Sequence, residues 1–121
     1  MAYSGKITSA NYENKMKVEA VCPILFTYNL IAGRWTSHVL WALRKNDLRF
    51  GEIRKAIPLA TERMIARRVS ELLDNGLIET FSEKDTKFYR LTESGQVMLP
   101  VLHSMMRSGQ LLSAGGAIAG K

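Results

Sequence analysis

Residues 50–76 read FGEIRKAIPLATERMIARRVSELLDNG. Phe50, Ile53 and Ile57 recur at i, i+3 and i+7, the spacing of one inward helix face, and predict a short helix over Phe50–Ile57 that Pro58 stops. Thr61 has the chemistry of an N-cap, a hydroxyl able to accept from an orphan N–H of the next turn. Position 64 is Met64, so the reciprocal acid of a capping box is absent. Ile65, Val69 and Leu72 then form a second buried stripe, while Arg63, Ala66, Arg67 and Ser70 fall on a different face. Asn75-Gly76, a pair that tolerates left-handed backbone, ends the helix. Two helices joined by a short proline-containing turn, with arginines on the second where no core would place them, are the pattern of a helix-turn-helix.

Working outward, Cys22-Pro23 opens an upstream helix, with proline at the first helical position. Ile24, Tyr28 and Ile31 run at helical spacing along it, and Ala32-Gly33 closes it. Trp35–Leu43 follows, with Trp35, Val39, Leu40 and Leu43 on one face. Lys45-Asn46-Asp47 is a polar turn. Downstream, Leu77–Phe81 reads as a strand, Ser82–Thr86 as a polar turn and Lys87–Leu91 as the returning strand. A two-stranded hairpin is marginal alone and must pack on the helices. Thr92 caps a last helix carrying Leu99, Val101, Leu102, Met105 and Met106, in which Pro100 predicts a kink or a break. The fold class is therefore mainly α with a small β-hairpin: a winged helix-turn-helix flanked by terminal helices. The expected organisation is an N-terminal arm or helix at 1–20, which contacts a partner subunit or frays, the winged domain at 21–92, a C-terminal helix at 93–113, and a flexible Gly/Ala-rich tail at 114–121.

The chain of 121 residues carries 17 Lys+Arg against 11 Asp+Glu, a formal net charge of +6. From Arg49 to Arg68, six basic residues face two acidic ones, so +4 of that charge sits on the proposed helix-turn-helix. A basic balance favours a polyanionic partner when it is clustered in this way. The single cysteine, Cys22, excludes an internal disulfide framework. His38 and His103 lack ligand spacing, so no metal or other cofactor is expected. No apolar run approaches the roughly 20 residues of a membrane span, and the start of the chain has no apolar signal core, so the expected location is cytoplasmic. There are no paired carboxylates in a motif, no Gly-rich phosphate loop and no nucleophile with a base at recognisable spacing, so an enzyme is not expected.

Several blocks, taken together and in order, carry a more specific likeness. Cys22-Pro23, residues 30–35 (LIAGRW), 49–53 (RFGEI), 64–72 (MIARRVSEL), 75–78 (NGLI) and 89–95 (YRLTESG) resemble the HxlR-type family of bacterial and archaeal transcription regulators. The likeness spans about residues 20 to 107. It implies a homodimeric winged-helix protein that binds double-stranded DNA, with terminal dimerisation helices, the C-terminal one being the helix at 93–113. It maps Thr61, Arg63, Met64, Arg67 and Arg68 onto the recognition helix, and Ser82–Lys87 onto the wing. It also implies that the cysteine of the Cys-Pro pair is a candidate thiol switch. Two positions depart from the family pattern: Leu59 stands where glycine is frequent, and Ala66 where a hydroxyl is frequent.

Each candidate has a plainer alternative. Arg63 and Arg67 would read guanine edges or grip phosphates, unless they belong to a solvated face with a local pair such as Arg67–Glu71. Arg68 lies nearer the buried edge and is a candidate for a flanking phosphate. Lys84 and Lys87 would touch the DNA backbone or minor groove from the wing, although Glu83 and Asp85 beside them dilute the charge. Cys22 sits at a helix start, the electropositive setting in which cysteines react, or it is a small hydrophobe. With no second cysteine, any disulfide would be intermolecular, either Cys22 to Cys22 or to a small thiol. Control is thus assigned to thiol or oxidant chemistry at Cys22 or to a small-molecule effector. Trp35, Trp41 and Tyr28 are read as core in preference to an effector pocket. Met98, Met105 and Met106 are read as a dimer surface, with intramolecular core as the alternative.

Overall fold

The computed structural model describes residues 22–114, so the arm at 1–20 and residues 115–121 of the tail lie outside the described residues. The elements are α1 (Pro23–Ile31), α2 (Thr36–Ala42), α3 (Phe50–Ala56), α4 (Glu62–Asp74), β1 (Ile78–Glu83), β2 (Thr86–Leu91), α5 (Glu93–Val97) and α6 (Leu99–Ala114). Val39 and Leu40 of α2, Ile53 of α3, Ile65 and Leu72 of α4, and Leu77 and Ile78 at the start of the hairpin are its most deeply buried side chains. The helix-turn-helix pair is therefore packed from behind by α2 and flanked by the wing. The result is a winged helix.

The ends of α4 follow from its residues. The Thr61 hydroxyl accepts from the Met64 N–H at 3.1 Å. At the other end Gly76 takes φ 76°. Its N–H donates to the Leu73 carbonyl at 3.1 Å, and the Leu77 N–H donates to Leu72 at 3.0 Å. These paired bonds satisfy the last carbonyls in a Schellman arrangement, with buried Leu72 and Leu77 supplying its apolar contact. Because Leu77 is also the first residue of the hairpin core, helix end and wing start are fixed by one motif.

The wing is longer and its turn tighter than the sequence suggests. β1 and β2 pair antiparallel from Ile78↔Leu91 to Glu83↔Thr86. Only Lys84 and Asp85 lie between them, with φ 52° and 64°. Positive φ at both central residues is the hairpin turn whose twist matches the strands. Ser82, Glu83 and Thr86 belong to strands although their polarity reads as loop. Leu48 adds a bridge to Tyr89, with N–H···O bonds of 3.0 and 2.8 Å in the two directions. That bridge, together with buried Leu91, attaches the hairpin to the helical body.

In α1 the inward residues are Phe26, Leu30 and Ile31, whereas Ile24 is 81% and Tyr28 59% exposed. Of the expected stripe only Ile31 faces the core. The helix is apolar on two faces, so spacing alone cannot choose the phase. Trp35 and Trp41 pack partly buried against the core, but Tyr28 does not. Met98 is buried, while Met105 and Met106 are exposed.

The expected interruption near Pro100 is a break: α5 ends at Val97, Met98 intervenes, and Pro100 occupies the second position of α6, where its missing N–H costs nothing. α6 runs one residue into the expected tail. Thr92 locks this junction to α4. Its hydroxyl donates to the Gly76 carbonyl at 2.6 Å and accepts from the Gly95 N–H at 3.1 Å. Among the described residues no helix is long and apolar enough to cross a membrane.

Candidate nucleic-acid interface

The outer face of α4 carries the charge, and burial separates its two sides. Ile65, Val69 and Leu72 are inside, whereas Arg63, Ala66, Arg67 and Ser70 are exposed. Thr61 stands exposed at the N-terminus and Met64 is half-buried between the two sides. Leu59 projects from the turn just before the helix, 84% exposed.

Pairing then divides the cations of the helix-turn-helix. Arg49 holds Glu52, which accepts from the Arg49 backbone N–H at 2.8 Å and from its guanidinium at 3.3 Å. This arrangement holds the Glu52 carboxyl below its ordinary range and the Arg49 guanidinium above its own. Arg54 pairs with Glu62 across the turn at 3.4 Å. Arg68 donates through Nε to the Arg34 carbonyl at 2.9 Å and through a terminal nitrogen to Glu71 at 2.8 Å. Its side chain is only 15% exposed. Lys55, Arg63 and Arg67 have no hydrogen bond or ion pair among the described residues. The Arg67–Glu71 pair does not form; the Glu71 carboxylate is paired with Arg68 instead. Among the cations of the helix-turn-helix, Lys55, Arg63 and Arg67 are thus the exposed ones left without a partner.

The wing presents Lys84 at its tip, exposed and without a partner among the described residues. Lys87 is exposed, with its ammonium 5.5 Å from the centre of the Tyr89 ring. Further down the hairpin Arg90 is bound by Glu79 at 2.8 Å and stacks over Phe81. Nothing in the sequence distinguishes Lys55 from its basic neighbours; its exposure and lack of a partner appear only once their pairing is known. Cys22 occupies the N-cap position of α1, half-buried and not disulfide-bonded.

A single helix with an exposed, unpaired arginine face, set beside a hairpin with a basic tip, is the geometry of a winged helix-turn-helix. The family model described as an HxlR-like helix-turn-helix matches residues 30–114. The chain belongs to the HxlR-like helix-turn-helix family. Among curated proteins it is similar to an uncharacterized HTH-type transcriptional regulator of Methanothermobacter thermautotrophicus, at 38% identity over 96 residues, covering 77% of this chain and 73% of the relative. Among solved structures it is similar to the redox regulator HypR in its reduced form, with a TM-score of 0.69 and 27% identity over 76% of this chain and 94% of that one. The reduced form of the transcriptional regulator YodB from B. subtilis gives a TM-score of 0.68 and 26% identity, over 78% and 96% of the two chains.

Proposed function

We propose that this helix-turn-helix regulator, not an enzyme, acts as a cytoplasmic homodimer that binds double-stranded DNA in a sequence-specific manner. α4 enters the major groove with Thr61, Arg63, Met64 and Arg67 toward the bases and adjoining phosphates, and Lys84 and Lys87 bring the wing to the flanking backbone. The observation that carries this reading is the contrast on α4: Arg63 and Arg67 are exposed and unpaired, while Arg68 next to them is spent on a carbonyl and a carboxylate. That engagement supports a positioning role for Arg68 in place of a phosphate contact. The dimer reading is supported by apolar side chains exposed on α1 and α6, including Ile24, Tyr28, Val101, Leu111 and Leu112. Two copies would present paired α4 helices to half-sites about one helical turn, roughly 34 Å, or a multiple apart.

Control is assigned to Cys22 or to a small effector. The likeness to HypR, a protein named as a redox regulator, supports the first. The half-buried setting of Cys22 at the start of α1, not fully enclosed, supports reaction with a small thiol or with Cys22 of a second copy. A gel shift with pooled genomic fragments tests DNA binding. Retention of discrete fragments, weakening steeply with salt as phosphate counterions are exchanged, is the expected result. Uniform or absent retention would contradict it. DNA affinity before and after mild oxidation, in wild type and Cys22→Ser, tests the thiol. Equal responses would remove Cys22 from regulation.

A further inference from the structure

A cleft of about 430 Å³ opens between α2, the C-terminal end of α3 and the middle of α6. That volume lies within the range of small-molecule sites. Its floor is apolar: Ile57 and Leu102 are buried, and Met106 closes the α6 side. Trp41 forms a half-buried wall, and Ser37, one helical turn earlier on the same face of α2, adds a hydroxyl. At the rim the Arg44 guanidinium lies 4.3 Å from the centre of the Trp41 ring. One of its N–H groups donates to the Trp41 carbonyl at 2.9 Å.

Those two contacts fix the guanidinium in place and leave most of its five donors unspent. No acidic side chain lines the cleft, and no carboxylate pairs with Arg44 among the described residues. An apolar slot with an aromatic wall accepts a flat ring, and a single held guanidinium at its mouth accepts a single carboxylate in fork geometry. A neutral ring would leave the guanidinium unanswered and a cationic one would oppose it. The position also matters. Ile57, on the floor, is the last residue before the turn into α4, and its carbonyl accepts the Ala60 N–H that holds that turn at 3.1 Å. An occupant of the cleft would therefore touch the residue that anchors the turn into α4.

We infer that this cleft binds a planar aromatic monocarboxylate and serves as the effector site. The inference rests on the small-effector half of the proposed function. The test uses the full chain without DNA, labelled at methionine methyls and at nitrogen, titrated with benzoate and 2-naphthoate in an NMR experiment. Saturable shifts of the Met106 methyl and the Trp41 indole are expected, with the core Met98 methyl unmoved. Arg44→Gln should weaken 2-naphthoate about tenfold, the loss of one charge-assisted contact at a partly exposed site, and Arg44→Lys should recover part of it. Benzyl alcohol and benzylamine, compared on wild type, should bind more weakly than benzoate by a similar factor. Absence of saturable shifts, shifts centred elsewhere, equal binding of benzyl alcohol, or an unaltered affinity in an Arg44→Gln protein that melts normally would each overturn the site. DNA retention measured in parallel separates its failure from failure of DNA recognition. A DNA affinity indifferent to bound 2-naphthoate would overturn the effector role.

Discussion

Arg67 and Arg68 are adjacent in sequence and opposite in environment, so replacing each should give opposite phenotypes. Arg68→Met keeps the length of the stem and deletes the guanidinium. It removes a charge-assisted bond from Nε to the Arg34 carbonyl and the ion pair to Glu71. A hydrogen bond from a charged donor in a largely covered position contributes about 1.5–3 kcal/mol. The pair with Glu71, whose side chain is 49% exposed, adds less than about 1 kcal/mol after solvent screening. The stem packing is retained, so a net loss near 2 kcal/mol is expected. Gly33 shows how closely that guanidinium is fitted, since a Cβ there would stand 3.0 Å from the Arg68 Cζ. In urea unfolding at fixed protein concentration, with a slope of about 1–3 kcal/mol/M, the midpoint should fall by about 1 M at unchanged slope. Arg67→Ala should leave that midpoint within about 0.5 kcal/mol of wild type and weaken DNA binding by roughly 1–3 kcal/mol. An Arg68→Met protein as stable as wild type would refute the anchoring role and return Arg68 to the DNA face.

Gly95→Ala should be among the most damaging small substitutions, because a Cβ there would overlap the Leu77 backbone carbonyl oxygen. A loss of more than about 3 kcal/mol, read by thermal unfolding, is expected, since backbone cannot yield as a side chain does. Asp85→Gly should instead stabilise the hairpin by up to about 1 kcal/mol by relieving a left-handed non-glycine residue. Unchanged or lower thermal stability would count against the turn geometry. The Glu52 carboxyl, held low by Arg49, contributes stability that is present above its unfolded value and lost as pH falls through its lower folded value. Acid titrations of stability should therefore show a shallower fall in Glu52→Gln than in wild type, and superimposable curves would remove that contribution.

The helix-turn-helix was legible because each of its signals was local: a stripe at helical spacing, a threonine cap, and Asn-Gly at the end. The exposed basic side of that helix was legible for the same reason, since Arg63 and Arg67 fall opposite buried Ile65, Val69 and Leu72. What escaped depended on distant chain. The phase of α1 could not be chosen, because Ile24/Tyr28 and Phe26/Leu30 are equally spaced pairs. At the ends of the wing strands Ser82, Glu83 and Lys87 are exposed and Thr86 is half-buried, so no apolar alternation marks them. Leu48 pairs with Tyr89 as a single bridge, too short to leave a pattern. The anchoring of Arg68 needs the Arg34 carbonyl, which only the folded α1–α2 turn, with Trp35 at φ 74°, brings to it. The free state of Arg67 was invisible until Glu71 was seen to be taken.

On the function proposed above, the unpaired arginines of α4 read a DNA sequence for a protein acting as a dimer. Selection of bound duplexes from a random pool, run side by side with wild type and Arg67→Ala, tests it most directly. Wild type should enrich a pseudo-palindrome whose half-sites lie about one helical turn or a multiple apart, and Arg67→Ala should lose preference at one position in each half. No enriched sequence from wild type, or the same site recovered with the same affinity by Arg67→Ala, would contradict it.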